Sequence, residues 1–160
     1  MAKLLLHIGT HKTGSTSIQR FLHEHADQLN SQGISFYRGQ YIERNHIELF
    51  LAAMRYERDS FAKIGICRDE LFDKAYTERI ADRVQAFIRT QTTPSIVLTT
   101  EGLSLLRYPD EIDRLRAILD ADAHVVKVIL YLREKAAYLR SYTNQVLKTP
   151  GRVPSSNYSS

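Results

Sequence analysis

The chain has 160 residues, 43% of them hydrophobic and 25% charged, enough apolar material for one domain with a buried core. Its 22 basic and 18 acidic side chains leave a formal charge of +4. They are scattered without a basic tail or an aromatic-interleaved stripe, which excludes nucleic acid as the expected partner and leaves room for an anionic ligand. The absence of an eighteen-residue apolar run and of a basic-apolar-cleavable leader excludes a membrane span and a secretory signal, and the lone Cys67 excludes an internal disulfide and fits the cytoplasm.

In chain order, "KLLLHI" at 3–8 reads as a buried strand that feeds a loop at Gly9. Ile18, Phe21, Leu22 and Leu29 keep one face of a 3.6-residue period and predict a helix ending between Ser31 and Gly33. "GISFYRG" predicts a second short strand. Two helices follow, one on Ile47, Phe50, Leu51 and Met54, the other on Phe72, Tyr76, Ile80, Val84 and Phe87, with "RDSFAKIGICRD" between them as a loop. "SIVLTT" at 95–100 is a β-branched third strand. Asp110 is expected to cap a helix carrying Ile112, Leu115 and Leu119. "HVVKVILYL" is the longest strand candidate, and a last helix should run from Glu134 to about Lys148. This alternation predicts an α/β fold, a three-layer sandwich with a central parallel sheet, over residues 1–150, and a Ser-rich flexible tail over 151–160.

The segment "HIGTHKTGST" carries the chemical signal. Gly9, four residues, Gly14, Ser15 and Thr16 reproduce the frame of a nucleotide-binding P-loop, except that Ser15 stands where the lysine belongs and Lys12 appears three positions earlier. Glycine turns the chain, and the N–H groups that open the next helix face an anion. The Mg²⁺ half of an ATP site is not visible, because the later strands end "TTEG" and "YLRE" rather than in Asp. A transferred group of lower charge, such as sulfuryl, does without that metal.

"GTHKTGSTSIQ" resembles the 5′-phosphosulfate loop of the sulfotransferases that use 3′-phosphoadenosine 5′-phosphosulfate (PAPS), whose signature is Lys-Thr-Gly followed by Ser or Thr. That family also has an Arg at the end of a later strand and a Ser eight residues on, which clamp the 3′-phosphate. "YLREKAAYLRSYTNQ" supplies Arg133 and Ser141 at that spacing, with Glu134 and Lys135 in place of the Asn-Pro that commonly follows the Arg. The resemblance spans residues 3 to about 148, and only these two blocks are specific. It implies a P-loop NTPase-like fold, PAPS as cofactor with no metal, and transfer to a hydroxyl or amine of a carbohydrate or small molecule. It also implies a donor site of His11, Lys12, Thr13, Gly14, Ser15, Thr16, Ser17, Arg133 and Ser141. Lys12 would stabilise the leaving oxygen. Members of the family usually continue beyond this last helix, so the chain is expected to be a fragment or to need a partner subunit, such as a second copy.

The acceptor must lose a proton, and the family takes its base from the region after the second strand or nearby. In "YRGQYIERNHIELF" that is His46, whose ordinary pKa suits the task, with Glu43 and Glu48 as competitors. Glu101 is another candidate, either as the base or as a holder of the acceptor hydroxyl, because it ends the third strand where open α/β sheets bind ligands. His23 and His25, two apart on a helix, read as a solvated face rather than a metal site, and His7 reads as packed. Two further readings stay open: a nucleotide kinase or NTPase with a degenerate loop, and a non-catalytic anion-binding module.

Overall fold

The computed structural model describes residues 2–11, 13–65 and 70–147. Lys12, Cys67 and the expected tail at 151–160 lie outside the described residues. Four strands, β1 (Lys3–His7), β2 (Ile34–Phe36), β3 (Ser95–Thr99) and β4 (Val125–Ile129), pair in the order β2-β3-β1-β4, every pair parallel. The α/β sandwich expected from the sequence is therefore present as a parallel sheet flanked by helices.

The apolar runs explain why the sheet is buried. Leu4 and Leu6 of β1 and Ile96 and Leu98 of β3 are in register and fully or almost fully buried. They share a core with α3 (Ile47–Ala53), α5 (Lys74–Thr90) and α6 (Pro109–Leu119). On the opposite face Phe36, in register with Val97 and through it with Leu5, meets the ring of His23 on α1 (Ser15–Glu24). α2 (Ala26–Ser31) then leads into β2. No helix among the described residues is long and apolar enough to cross a membrane.

Several local expectations change. The single helix predicted after the glycine loop is two, broken at His25, and Phe21, expected on its inner face, is 53% exposed. The loop between α3 and α5 contains α4 (Phe61–Gly65). The strand predicted over 124–132 pairs with β1 only from Val125 to Ile129. Asp110 does not cap α6. Pro109 occupies the first helical position, where its missing N–H costs nothing, and Glu111 reaches back to the N–H groups of Arg107 (2.8 Å) and Tyr108 (3.3 Å). Asp110 instead takes a forked ion pair from Arg55, which lies over the Tyr108 ring, and a second from Arg114.

Glu111 joins α6 to the end of α3. It is fully buried, and its other oxygen accepts the Arg55 N–H at 2.9 Å and the Arg58 guanidinium. Burial pushes its carboxyl up, but the N–H groups of Arg107, Arg55 and Tyr108 together with Arg58 outweigh this and hold it below the ordinary glutamate range. A depressed folded-state pKa gives stability that is present above the unfolded value, near 4.3, and lost as pH falls through the folded one. Glu111→Ala should cost about 3 kcal/mol in urea denaturation at neutral pH, since it leaves Arg58 and three N–H groups without their acceptor. The deficit should shrink in acid. An equal deficit at pH 7 and pH 3 would remove the carboxylate from this explanation.

Candidate functional site

Because β1 and β3 are neighbours but β1 is followed in sequence by β2 on one edge and β3 by β4 on the other, the chain leaves their carboxyl ends in opposite directions. The crevice opened there receives the loop after β1. β3 continues into a 3₁₀ turn, Glu101–Leu105, so its first residue projects into the same crevice. Gly9 makes this meeting close: a Cβ on Gly9 would lie 2.8 Å from Cβ of Glu101, and its φ of +96° is in the left-handed region. The Thr100 N–H bonds the His7 carbonyl at 3.0 Å on one side of the loop. On the other, Tyr131 N–H bonds Gly9 O at 2.7 Å and Thr10 N–H bonds Tyr131 O at 3.1 Å. The residues predicted to extend β4 thus hold the loop instead of lengthening the strand.

Gly14, at φ +87°, ends the loop and starts α1. Its carbonyl already accepts from Ser17 and Ile18, while the N–H groups of Ser15 and Thr16, at the first helical positions, have no partner within the helix by geometry and face outward with the positive end of the helix dipole. Thr13 turns its hydroxyl back onto Thr10 O at 2.6 Å. A cavity of about 370 Å³ lies here, lined by His11, Gly14, Ser15, Thr16, Glu101, Arg133 and Ser141.

Arg133 and Ser141 reach it through the stretch after β4. Glu134 accepts the N–H groups of Ala136 (2.7 Å) and Ala137 (2.8 Å), which hold its carboxyl below the ordinary range, and so caps α7 (Lys135–Leu147). Glu134 does the turning at the position where the resembled family has Asn. Arg133 stands before the cap, and Ser141 lies about two turns into α7.

Of the residues expected in the site, His11, Gly14, Ser15, Thr16, Glu101, Arg133 and Ser141 come together. Thr13 and Ser17 do not line the cavity, and Lys12 lies outside the described residues. His46 is elsewhere: it is fully buried, its N–H bonds Thr99 O, and its Nδ1 accepts the Thr99 N–H at 2.9 Å. Burial lowers its pKa to about 3. The imidazole braces β3 from inside the protein and does not face the cavity. Glu48 is also fully buried, accepting the Gln40 N–H at 2.9 Å, and burial raises its pKa. Glu43 sits on the surface with His23 and Arg38. His7 is packed as expected, its Nδ1 2.7 Å from the Thr99 hydroxyl.

Two residues that the sequence reading passed over belong here. Gln19 of α1 donates from Nε2 to Glu101 Oε2 at 2.6 Å, and Asn45, in the turn before α3, donates to the same oxygen at 3.1 Å. The two buried side chains of α1 are Ser15 and Gln19, one turn apart and both polar. Half-buried Ile18 and Leu22 share this inward face, so α1 packs through apolar residues as well and brings Ser15 and Gln19 to the carboxyl end of the sheet. The spacing from Ser15 was the available signal for Gln19.

No protein-family model matches the chain, and no curated protein is significantly similar to it.

Two tests follow from this geometry. Gly9→Ala meets both a left-handed φ and the Glu101 side chain, whereas Gly14→Ala meets only the φ, with nothing within 4 Å of the added carbon. The first should cost about 3 kcal/mol in urea denaturation and the second about 1 kcal/mol. Equal losses would mean that Gly9 and Glu101 are not in contact. For His46, a folded pKa below the unfolded value, near 6.5, gives stability that is complete above the unfolded value and declines as pH falls from there toward about 3. His46→Gln should therefore lose less stability between pH 7.5 and pH 5 than the wild type loses.

Proposed function

We propose that the protein is a PAPS-dependent sulfotransferase of P-loop NTPase-like fold that transfers a sulfuryl group to a hydroxyl of a carbohydrate or other small polar acceptor. The observation that carries this reading is the shared cavity: Gly14, Ser15 and Thr16 from one end of the chain and Arg133 and Ser141 from the other line a single space. A lone helix N-terminus would suit any anion. The Arg133 guanidinium in the same space as that helix start suits a ligand with two separate anionic groups, as in a nucleotide phosphorylated at both 5′ and 3′ positions. The sheet order β2-β3-β1-β4, all parallel, with the loop after β1, accords with the P-loop type of α/β fold.

In this reading the N–H groups of Ser15 and Thr16 bind the 5′-phosphosulfate, Arg133 and Ser141 bind the 3′-phosphate, and Lys12 neutralises charge on the oxygen that leaves sulfur. Glu101 is the base. The acceptor hydroxyl gives its proton to the Glu101 carboxylate as its oxygen bonds to sulfur. The bond from sulfur to the 5′-phosphate oxygen breaks, its electron pair stays on that oxygen, and adenosine 3′,5′-bisphosphate leaves. Glu101 replaces His46 in this role because Glu101 lines the cavity and His46 is enclosed behind β3. The polar walls favour a polar acceptor over an apolar one.

The test is a thermal-shift comparison of adenosine 3′,5′-bisphosphate, ATP with Mg²⁺, and sulfate, since a ligand that binds only the folded state raises stability by mass action. Stabilisation by the bisphosphate alone is expected; stabilisation by ATP with Mg²⁺ instead would favour a kinase or NTPase. Arg133→Ala should weaken the bisphosphate by on the order of 2 kcal/mol in calorimetry and leave adenosine 5′-phosphate nearly unchanged. Lys12→Ala should abolish transfer while retaining most of the bisphosphate affinity, because its charge matters most in the transition state. Near wild-type turnover in that variant would end the proposed role of Lys12.

A further inference from the structure

Glu101 is held from two sides by groups with no evident part in binding a donor. Gln19 Nε2 and Asn45 Nδ2 both donate to Oε2, and the Asn45 amide also lies 3.5 Å from Gln19 Oε1, so the three side chains form a closed polar cluster. Gln19 is only 2% exposed and Glu101 is 17% exposed at its side chain, so the first bond has little water to compete with it. Oε1, the oxygen without an amide donor in this cluster, has His11 Nδ1 at 3.9 Å, and His11 and Glu101 both line the cavity. His7 is buried beside the same strand end, and burial lowers its pKa against the opposing pull of the Glu101 charge.

We propose that Gln19 and Asn45 are positioning residues that lock Oε2 of Glu101 and thereby present Oε1 to the acceptor hydroxyl. The inference rests on the sulfotransferase reading and deepens it. Without the two amides the carboxylate rotates about its terminal torsion, which is broad and roughly two-fold, and Oε1 spends less time aimed at the acceptor. Gln19 adds a coupling. It stands one turn after Ser15 on the helix that opens at the anion-binding loop, so one rigid element fixes both the donor's anion and the base. Asn45 performs the same task from the turn after β2 and ties that turn to the end of β3.

The experiment compares wild type with Gln19→Glu and Asn45→Asp, which keep size and replace a donor with an acceptor, and with Asn45→Ser, which keeps a shorter donor. Bisphosphate titration and melting temperature serve as controls for folding and for the donor site. The expected result is a fall in kcat on the order of tenfold or more in Gln19→Glu and Asn45→Asp. The bisphosphate Kd should stay within about twofold, the acid limb of the pH–rate profile should move to higher pH, and Asn45→Ser should recover part of the loss. A purely structural role would lower melting temperature and affinity together without moving the pH profile. Normal kcat and pH profile in both isosteric variants, with wild type active, would overturn the positioning role and leave the sulfotransferase reading standing. Wild type that neither binds the bisphosphate nor transfers sulfate to any of a panel of sugars and phenols would overturn that reading, and this inference with it. A check that needs no turnover is the Gln19 side-chain amide resonance, which should shift on Glu101→Gln. No shift would deny the contact itself.

Discussion

The contact between Gly9 and Glu101 is the constraint on which the site depends, because it brings the ends of two strands as close as a chain without a side chain allows. Parallel pairing of β1 with β3 sets the two strand ends side by side, and their departure toward opposite edges leaves the crevice open. Any side chain on Gly9 would have to displace the residue that projects from β3. The loop is then held on both flanks by main-chain bonds, to Thr100 through His7 and to Tyr131 through Gly9 and Thr10. The start of the loop, through Thr10, is therefore tied to the sheet by main-chain bonds. In the proposed function, an anion bound here would meet a small ordering cost, leaving binding energy for the transition state.

The two faces of the sheet do different work. Leu4, Leu6, Ile96 and Leu98 bury one face against α3, α5 and α6, and that is where the apolar core lies. The other face carries α1, whose inward residues Ser15 and Gln19 are polar. Half-buried Ile18 and Leu22 share that inner face, and the Gln19–Glu101 bond and the meeting of His23 with Phe36 add polar and aromatic contacts to their packing. The apolar core lies on one side, and the cavity-lining residues of α1 lie on the other. The Arg55, Arg58, Asp110 and Glu111 cluster belongs to the core side, joining the end of α3 to the start of α6 well away from the cavity.

The region after β2 shows how burial sorts residues of one chemical type. Within six positions, Glu43 lies in water beside His23 and Arg38, Asn45 touches Glu101, His46 is enclosed against Thr99, and Glu48 is enclosed against the Gln40 N–H. His46 had the best intrinsic pKa for a base, and enclosure took that advantage away by penalising the charged form. Glu101 faces the cavity because the chain makes a 3₁₀ turn directly after β3.

Local physics was enough to read the four strands, the longer helices and the glycine loop from the sequence, but not the break at His25 or the short helix α4. Buried strands need apolar runs, amphipathic helices need a repeat near 3.6, and tight turns before a helix need glycine. Arg133 and Ser141 were singled out only by their resemblance to a family signature, since an Arg and a Ser eight residues apart carry no local rule of their own. The sequence by itself did not determine the sheet order, the shortening of β4 where Tyr131 turns to the loop, or the choice of Glu111 over Asp110 as the cap of α6. It also did not determine which of His46, Glu43, Glu48 and Glu101 faces the cavity, or that Gln19 and Asn45 would meet on one carboxylate oxygen. Apart from the Glu111 cap, which is local, those outcomes depend on segments distant in sequence being folded together, as Gln19 and Glu101 are at 82 residues apart, and on which side chains that folding removes from water. No periodicity or motif encodes a contact at that separation, because it is set by the packing of the whole sheet and its helices rather than by neighbours along the chain.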